Sequence, residues 1–219
     1  MIARHFFAYK FAENYCRGKR VLDLGCGEGY GTYYLSQFAL EAVGVDRDPA
    51  IISYAKNKYK KGNLNYLVSG AEQLNLLPKS FDLICSFQVI EHIEDVKSYL
   101  ENIKTLLADG GIFICSTPSK LDSSPHSATP LNKFHLREYL SEEFVQLLKP
   151  HFKSLSLYGL KRGRKLNFYR RLKKIGIFNV LPDKLNPVKK FYNNIETRHF
   201  TLVQENISSA LDFYAVCGK

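Results

Sequence analysis

The chain has 219 residues, 45% hydrophobic and 24% charged, a balance that supports a globular domain and excludes collagen, coiled coil and global disorder. Its formal net charge of +10 is local: residues 1–160 carry 18 basic and 17 acidic side chains (+1), and residues 161–219 carry 13 and 4 (+9). No apolar run reaches the ~18–20 residues of a membrane span, and the opening residues lack the order of a secretory signal.

Residues 3–15 place Phe6, Phe7, Tyr9, Phe11 and Tyr15 at helix-compatible spacing, and Arg17-Gly18-Lys19-Arg20 breaks it. Val21–Leu24 is a short apolar run that ends in glycines, hence a buried strand, and residues 30–39 read as a helix. Ala42–Asp46 is a second strand ending in an acid, and Pro49 opens a helix that runs to about Tyr59. Leu64–Val68 and Phe81–Phe87 are strands three and four. A helix over about 95–107 turns through Asp109-Gly110-Gly111 into a fifth, Ile112–Ser116. A Ser- and Pro-rich loop then runs to about Phe134, followed by a helix over Ser141–Leu148 with Ser141 as its N-cap. Phe152–Leu160 and Leu211–Cys217 are two further strands. Continuously apolar strands alternating with helices predict a parallel sheet covered on both faces.

The stretch Val21-Leu22-Asp23-Leu24-Gly25-Cys26-Gly27-Glu28-Gly29-Tyr30-Gly31 carries the chemistry. Glycines after a first strand let the backbone turn sharply and approach a ligand. Asp46 follows 21 residues after Gly25, at the end of the second strand, where a carboxylate can accept from both ribose hydroxyls. The loop is G-x-G-x-G, neither a dinucleotide fingerprint nor a P-loop. Its Asp23 and Glu28 suit a ligand bearing an ammonium and a sulfonium better than a pyrophosphate. Five cysteines without C-x-x-C spacing read as buried reduced thiols of a cytoplasmic protein. Six scattered histidines without H-E-x-x-H give no metal site.

Together with VGVD at 43–46, GAEQL at 70–74, FDLICSFQVIEHIED at 81–95 and LLADGGIFICSTP at 106–118, residues 1–160 resemble a class I S-adenosylmethionine-dependent methyltransferase. The nearest group is the type 11 methyltransferases, with the ubiquinone and menaquinone biosynthetic enzymes and bacterial enzymes acting on saccharides. The resemblance implies a doubly wound, mostly parallel, seven-stranded Rossmann-like sheet with its last strand antiparallel. It implies a methyltransferase core over 1–160, a basic insertion or lid over 161–205 and a completing strand over 206–219. Gly25, Gly27 and Gly29 would line the methionine half and ribose of S-adenosylmethionine. Asp23 would sit near the cofactor's ammonium or orient the loop, Asp46 would bind the ribose hydroxyls and Arg47 would flank the adenine. Ala71 would offer its amide to the adenine, the backbone at Phe87 would accept from the ammonium, and Tyr9 would cover the cofactor. Position 70 is Gly where the family often has Asp, so Ser69 or Glu72 would substitute.

Glu91-His92 follows the fourth strand, where ligands bind in such folds. His92 is the first candidate general base, because an imidazole pKa near ~6.5 suits removal of a hydroxyl or phenol proton. His135, in the loop expected to roof the acceptor, is the second and His126 a third, while His5 would be cofactor-side or a cap. The implied reaction is O-methylation of a small molecule, saccharide or lipid-linked precursor. A degenerate fold kept for binding and an RNA methyltransferase are the alternatives. Ser86-Phe87-Gln88-Val89 lacks the Asn/Asp-Pro-Pro-aromatic pattern of base N-methylation, which disfavours nucleic acid. In residues 161–178 Leu166, Tyr169, Leu172 and Ile175 recur every three residues among eight cations. That predicts a basic amphipathic helix, packed on the domain or lying on an anionic membrane surface at the inner face.

Overall fold

The computed structural model describes residues 2–71, 74, 76–176, 178 and 180–219. Among these residues eight α-helices and eight strands follow in chain order: α1 (Ile2–Cys16), β1 (Arg20–Leu24), α2 (Tyr30–Leu35), β2 (Glu41–Asp46), α3 (Pro49–Lys58), β3 (Leu64–Val68), β4 (Phe81–Phe87), α4 (Val96–Leu106), β5 (Leu107–Pro118), α5 (Lys120–Ser123), α6 (Ser141–Leu148), β6 (Ser154–Arg162), α7 (Arg164–Ile175), α8 (Pro187–Asn193), β7 (Phe200–Val203) and β8 (Asp212–Gly218). The strands form one sheet in the order β3-β2-β1-β4-β5-β8-β6-β7. The pairs from β3 to β5 are parallel. Strand β8 is antiparallel to both β5 and β6, and β7 is antiparallel to β6.

The α/β sheet is the one expected, with eight strands in place of seven. The addition is β7, four residues inside the segment read as an insertion. Its short run sits at the sheet edge, where one partner suffices. That segment, 161–205, thus holds the end of β6, both α7 and α8, and an edge strand. Asp109-Gly110-Gly111 lies within β5, where the register shifts against β4 and Gly110 takes a positive φ.

Alternate strand residues enter opposite cores. Leu22, Leu24, Ile84, Phe113 and Cys115 join Tyr99 of α4 and Phe144 of α6 in one cluster. Val21, Leu83, Cys85 and Ile114 join Tyr9 of α1 and Leu35 of α2 in the other. All five cysteines are free and buried. Helix α3 starts as its sequence dictates: Pro49 takes the first turn and the Asp48 carboxylate accepts from the Ala50 and Ile51 amides. In α6 the cap differs from expectation. The capping position is Leu140, one residue before Ser141, and the Glu143 carboxylate accepts from the Leu140 amide at 2.9 Å.

Candidate active site

The site lies beyond the carboxyl ends of β1, β2 and β4, at the switch point where the sheet order reverses. After Leu24 the chain turns back, and the amides of Gly25 and Cys26 both donate to the Val45 carbonyl, at 2.8 and 3.0 Å. The glycine loop is thereby pinned to β2. Its glycines divide the work. Gly27 has φ 54° and a Cβ there would meet nothing within 4 Å. Gly29, also left-handed, is closed in: a Cβ would lie 2.7 Å from Ala55 and 2.8 Å from the Tyr66 ring. Gly29 therefore packs the loop onto α3 and β3, and its carbonyl accepts from the Tyr66 hydroxyl at 2.7 Å. It does not line the cavity as expected.

Two adjoining cavities open over this loop, of about 510 and 670 Å³. Gly25, Gln88, His92 and Asn132 line both. The larger is also lined by Asp46, Arg47, Ser69, Gly70 and Ala71. Asp46 is held by two backbone donors, Gly27 N to Oδ2 at 3.0 Å and Asp48 N to Oδ1 at 3.1 Å. Glu72 lies outside the described residues. The smaller cavity is lined by Tyr9, Gly27, Phe87, Glu91 and His135. Tyr9 packs edge-on against Phe87, with ring centroids 5.1 Å apart. Asp23 is fully buried and borders neither cavity; Thr32 Oγ1 donates to it at 2.6 Å. Of its two expected roles, this geometry serves loop orientation. Burial pushes its carboxyl up to about 7.

The two histidines stand side by side, ring centroids 5.0 Å apart, but are bonded differently. His92 Nδ1 lies 2.7 Å from the Phe134 carbonyl. A carbonyl only accepts, so Nδ1 carries the proton and Nε2 keeps the lone pair. Desolvation holds its pKa below the usual imidazole value. Both His135 nitrogens are engaged, Nδ1 with Glu138 at 2.7 Å and Nε2 with Asn132 at 2.9 Å. His5 lines the smaller cavity, and His126 lies exposed and away from both. Glu91 accepts from Thr117 Oγ1 at 3.0 Å through one oxygen, and its other oxygen is buried without a partner. Burial raises it to about 8. Glu91, His92 and His135 each bring one donor atom within 4.8 Å of the others. Recruiting His135 to a cation there would break one of its two existing bonds.

Three site residues escaped the sequence reading. Gln88 has φ 59°, a left-handed backbone that strains a non-glycine residue by about 1–3 kcal/mol. Its amide nitrogen reaches Ser116 Oγ and Asp212 Oδ1, each at 3.3 Å. Arg4 clamps the same Asp212 through two bonds of 2.6 Å. Gln88 directly follows the fourth strand, a positional signal. Nothing local couples Arg4 to Asp212.

The family profile described as Methyltransferase domain matches residues 22–115. A relative from Mycolicibacterium smegmatis, named "Probable S-adenosylmethionine-dependent methyltransferase", is 35% identical over 146 residues, 67% of this chain and 56% of its own length. A ubiquinone biosynthesis O-methyltransferase of Cereibacter sphaeroides is 35% identical over 112 residues, 50% of this chain and 44% of its own. The chain thus spans about half the length of these relatives. A solved SAM-dependent methyltransferase from Thermotoga maritima superposes with a TM-score of 0.69 at 14% identity, over 100% of this chain and 91% of that one. The residues present fit S-adenosylmethionine: Gly27 leaves its side of the loop open, and the Asp46 carboxylate and three backbone positions after β3 border the larger cavity. The matched domain, these relatives and the sheet order support a class I S-adenosylmethionine-dependent methyltransferase domain in this chain.

Proposed function

We propose that the protein transfers the methyl group of S-adenosylmethionine to a hydroxyl oxygen of a saccharide or lipid-linked acceptor. The observation that carries the reading is His92: it borders both cavities, and its Nδ1 bond to Phe134 leaves Nε2 able to take a proton. When bound, the cofactor supplies a methyl on a positively charged sulfur, ready for displacement by oxygen. Asp46, Arg47 and the 69–71 backbone, which line the larger cavity, would hold the nucleoside; Tyr9 and Phe87 wall the smaller one. His92 Nε2 receives the acceptor's hydroxyl proton as the C–O bond forms, and the lowered pKa keeps that nitrogen unprotonated at neutral pH. His135, fixed between Glu138 and Asn132, orients the roof. Much of the rate comes from alignment, since the methyl is already activated. The name of the Cereibacter relative supports oxygen as the acceptor atom. A lipid-linked acceptor is supported by Phe168, Ile175 and Val180, exposed at 56%, 64% and 87% among cations.

The test is His92→Ala. Turnover should fall by about 10²–10⁴-fold, the usual worth of a general base, with S-adenosylhomocysteine affinity nearly intact. A fall smaller than about tenfold would make His92 structural.

A further inference from the structure

A third cavity, of about 1180 Å³, lies between α1 and the α7–α8 pair. It exceeds the roughly 300–1,000 Å³ of ordinary small-ligand clefts. Arg4 lines both this cavity and the smaller lobe of the active site, so the two meet there. At that boundary charge is balanced. Arg4 pairs with Asp212 at 2.6 Å, and Arg162 pairs with Asp122 at 3.1 Å.

Past the boundary it is not. Lys10, Arg170, Lys173 and Lys174 line the cavity, and none of them makes a salt bridge among the described residues. Glu196, the acid in the lining, is taken by Arg198 at 3.1 Å. Two of the four cations rest against ring faces, Lys10 at 5.7 Å from the Tyr34 centroid and Lys173 at 4.8 Å from that of Tyr192. A merely solvated helix face would pair its charges at i,i+4 or spread them around the helix. Here they converge from α1 and α7 into one concave space, which focuses a positive potential. Phosphate oxygens match such a set, because guanidinium and ammonium groups make their strongest hydrogen bonds to anions. Ile2, Phe6, Leu166 and Phe200 line the rest, leaving room for an apolar or ring portion beside the charge.

We infer that this cavity holds a phosphate or diphosphate group of the methyl acceptor, while the hydroxyl to be methylated reaches past Arg4 toward His92. The inference rests on the methyl-transfer reading and names the acceptor class that the site takes: a phosphorylated or diphosphate-linked compound.

Calorimetry on the full chain saturated with S-adenosylhomocysteine, titrated with inorganic pyrophosphate, tests it. Pyrophosphate should bind, and Arg170→Ala/Lys173→Ala/Lys174→Ala should weaken it by about tenfold or more, the loss of charge-assisted contacts. S-adenosylhomocysteine affinity should be equal in both proteins, which also shows that the variant is folded. Displacement of pyrophosphate by a nucleoside diphosphate sugar would assign a soluble acceptor; displacement by a short-chain prenyl diphosphate alone would assign a lipid-linked one. Absent pyrophosphate binding, equal binding by the variant, or displacement by neither compound overturns the inference. So does binding of duplex RNA, in place of pyrophosphate, that the same substitutions abolish. Failure of the wild-type chain to bind S-adenosylhomocysteine would instead overturn the methyl-transfer reading.

Discussion

A methyl group added at Gly27 would point into open space, and one added at Gly29 would strike Ala55 and Tyr66. Both substitutions share the left-handed backbone strain of about 1–2 kcal/mol. Gly29→Ala adds overpacking of about 1–3 kcal/mol and should show the larger drop in melting temperature. Gly27→Ala should act mainly on S-adenosylhomocysteine affinity, because its methyl enters the ligand's space; calorimetry beside thermal denaturation separates the two. Asp46→Ala should weaken S-adenosylhomocysteine by roughly 1.5–3 kcal/mol, the scale of a charge-assisted hydrogen bond, and unchanged affinity would remove the ribose assignment. Glu91 gives the site a pH signature. Its carboxyl titrates at about 8 in the folded chain against an ordinary 4.5. The folded state therefore keeps a proton that the unfolded chain releases, and stability falls as pH rises from 4.5 through about 8. Asp23 adds the same sign between 3.8 and about 7. Glu91→Gln, neutral throughout, should flatten the upper part of that decline in melting temperature. His92 works in the opposite direction on rate. With its pKa held below 6.5, kcat/KM should stay level as pH falls to that value and decline only below it.

Helix α7 shows why spacing of three does not make a stripe. Each residue advances about 100° around a helix, so every third residue slips back by about 60°. From Leu166 to Ile175 the slip reaches about half a turn. Accordingly Leu166 is buried, Tyr169 stacks on Phe191 of α8 with centroids 4.0 Å apart, Leu172 is half-buried and Ile175 is exposed. The helix is thus packed on the domain through its first half, and Phe168 and Ile175 share the outer side. Phe191→Ala should lower stability by about 3–5 kcal/mol through the lost ring and stack, leaving S-adenosylhomocysteine affinity unchanged. If the outer side meets lipid, the protein should co-sediment with anionic vesicles more than neutral ones, less so as salt rises. Phe168→Ser with Ile175→Ser should abolish that partitioning. No helix among the described residues is long and apolar enough to cross a membrane.

Across the whole molecule, what was legible in the sequence is what local pattern controls. The first five strands could be read because each is an apolar run closed by turn residues, and Asp46 because it ends one of them. The expected nucleoside-binding residues follow from those two facts. The edge strand Phe200–Val203 was missed because four residues are too few to show a period and its pairing with β6 is non-local. Gly29 was misplaced because a glycine that admits a ligand and one that admits Tyr66 look alike in a string of letters. Gln88, Arg4 and Asp212 form a wall from three remote segments, and no window of sequence contains them. That wall also bears on how the protein is made. The Arg4–Asp212 pair spans 208 positions of the chain. At the usual ~5–20 residues per second of synthesis, the first helix waits on the order of ten to forty seconds for its partner carboxylate. In that interval the nascent polypeptide can already have threaded β1, β2 and the glycine turn into place, while its acceptor side stands open beside an unpaired edge of β5. Until β8 is made, that edge of β5 has no partner and Tyr214 is absent from the core that α1 joins.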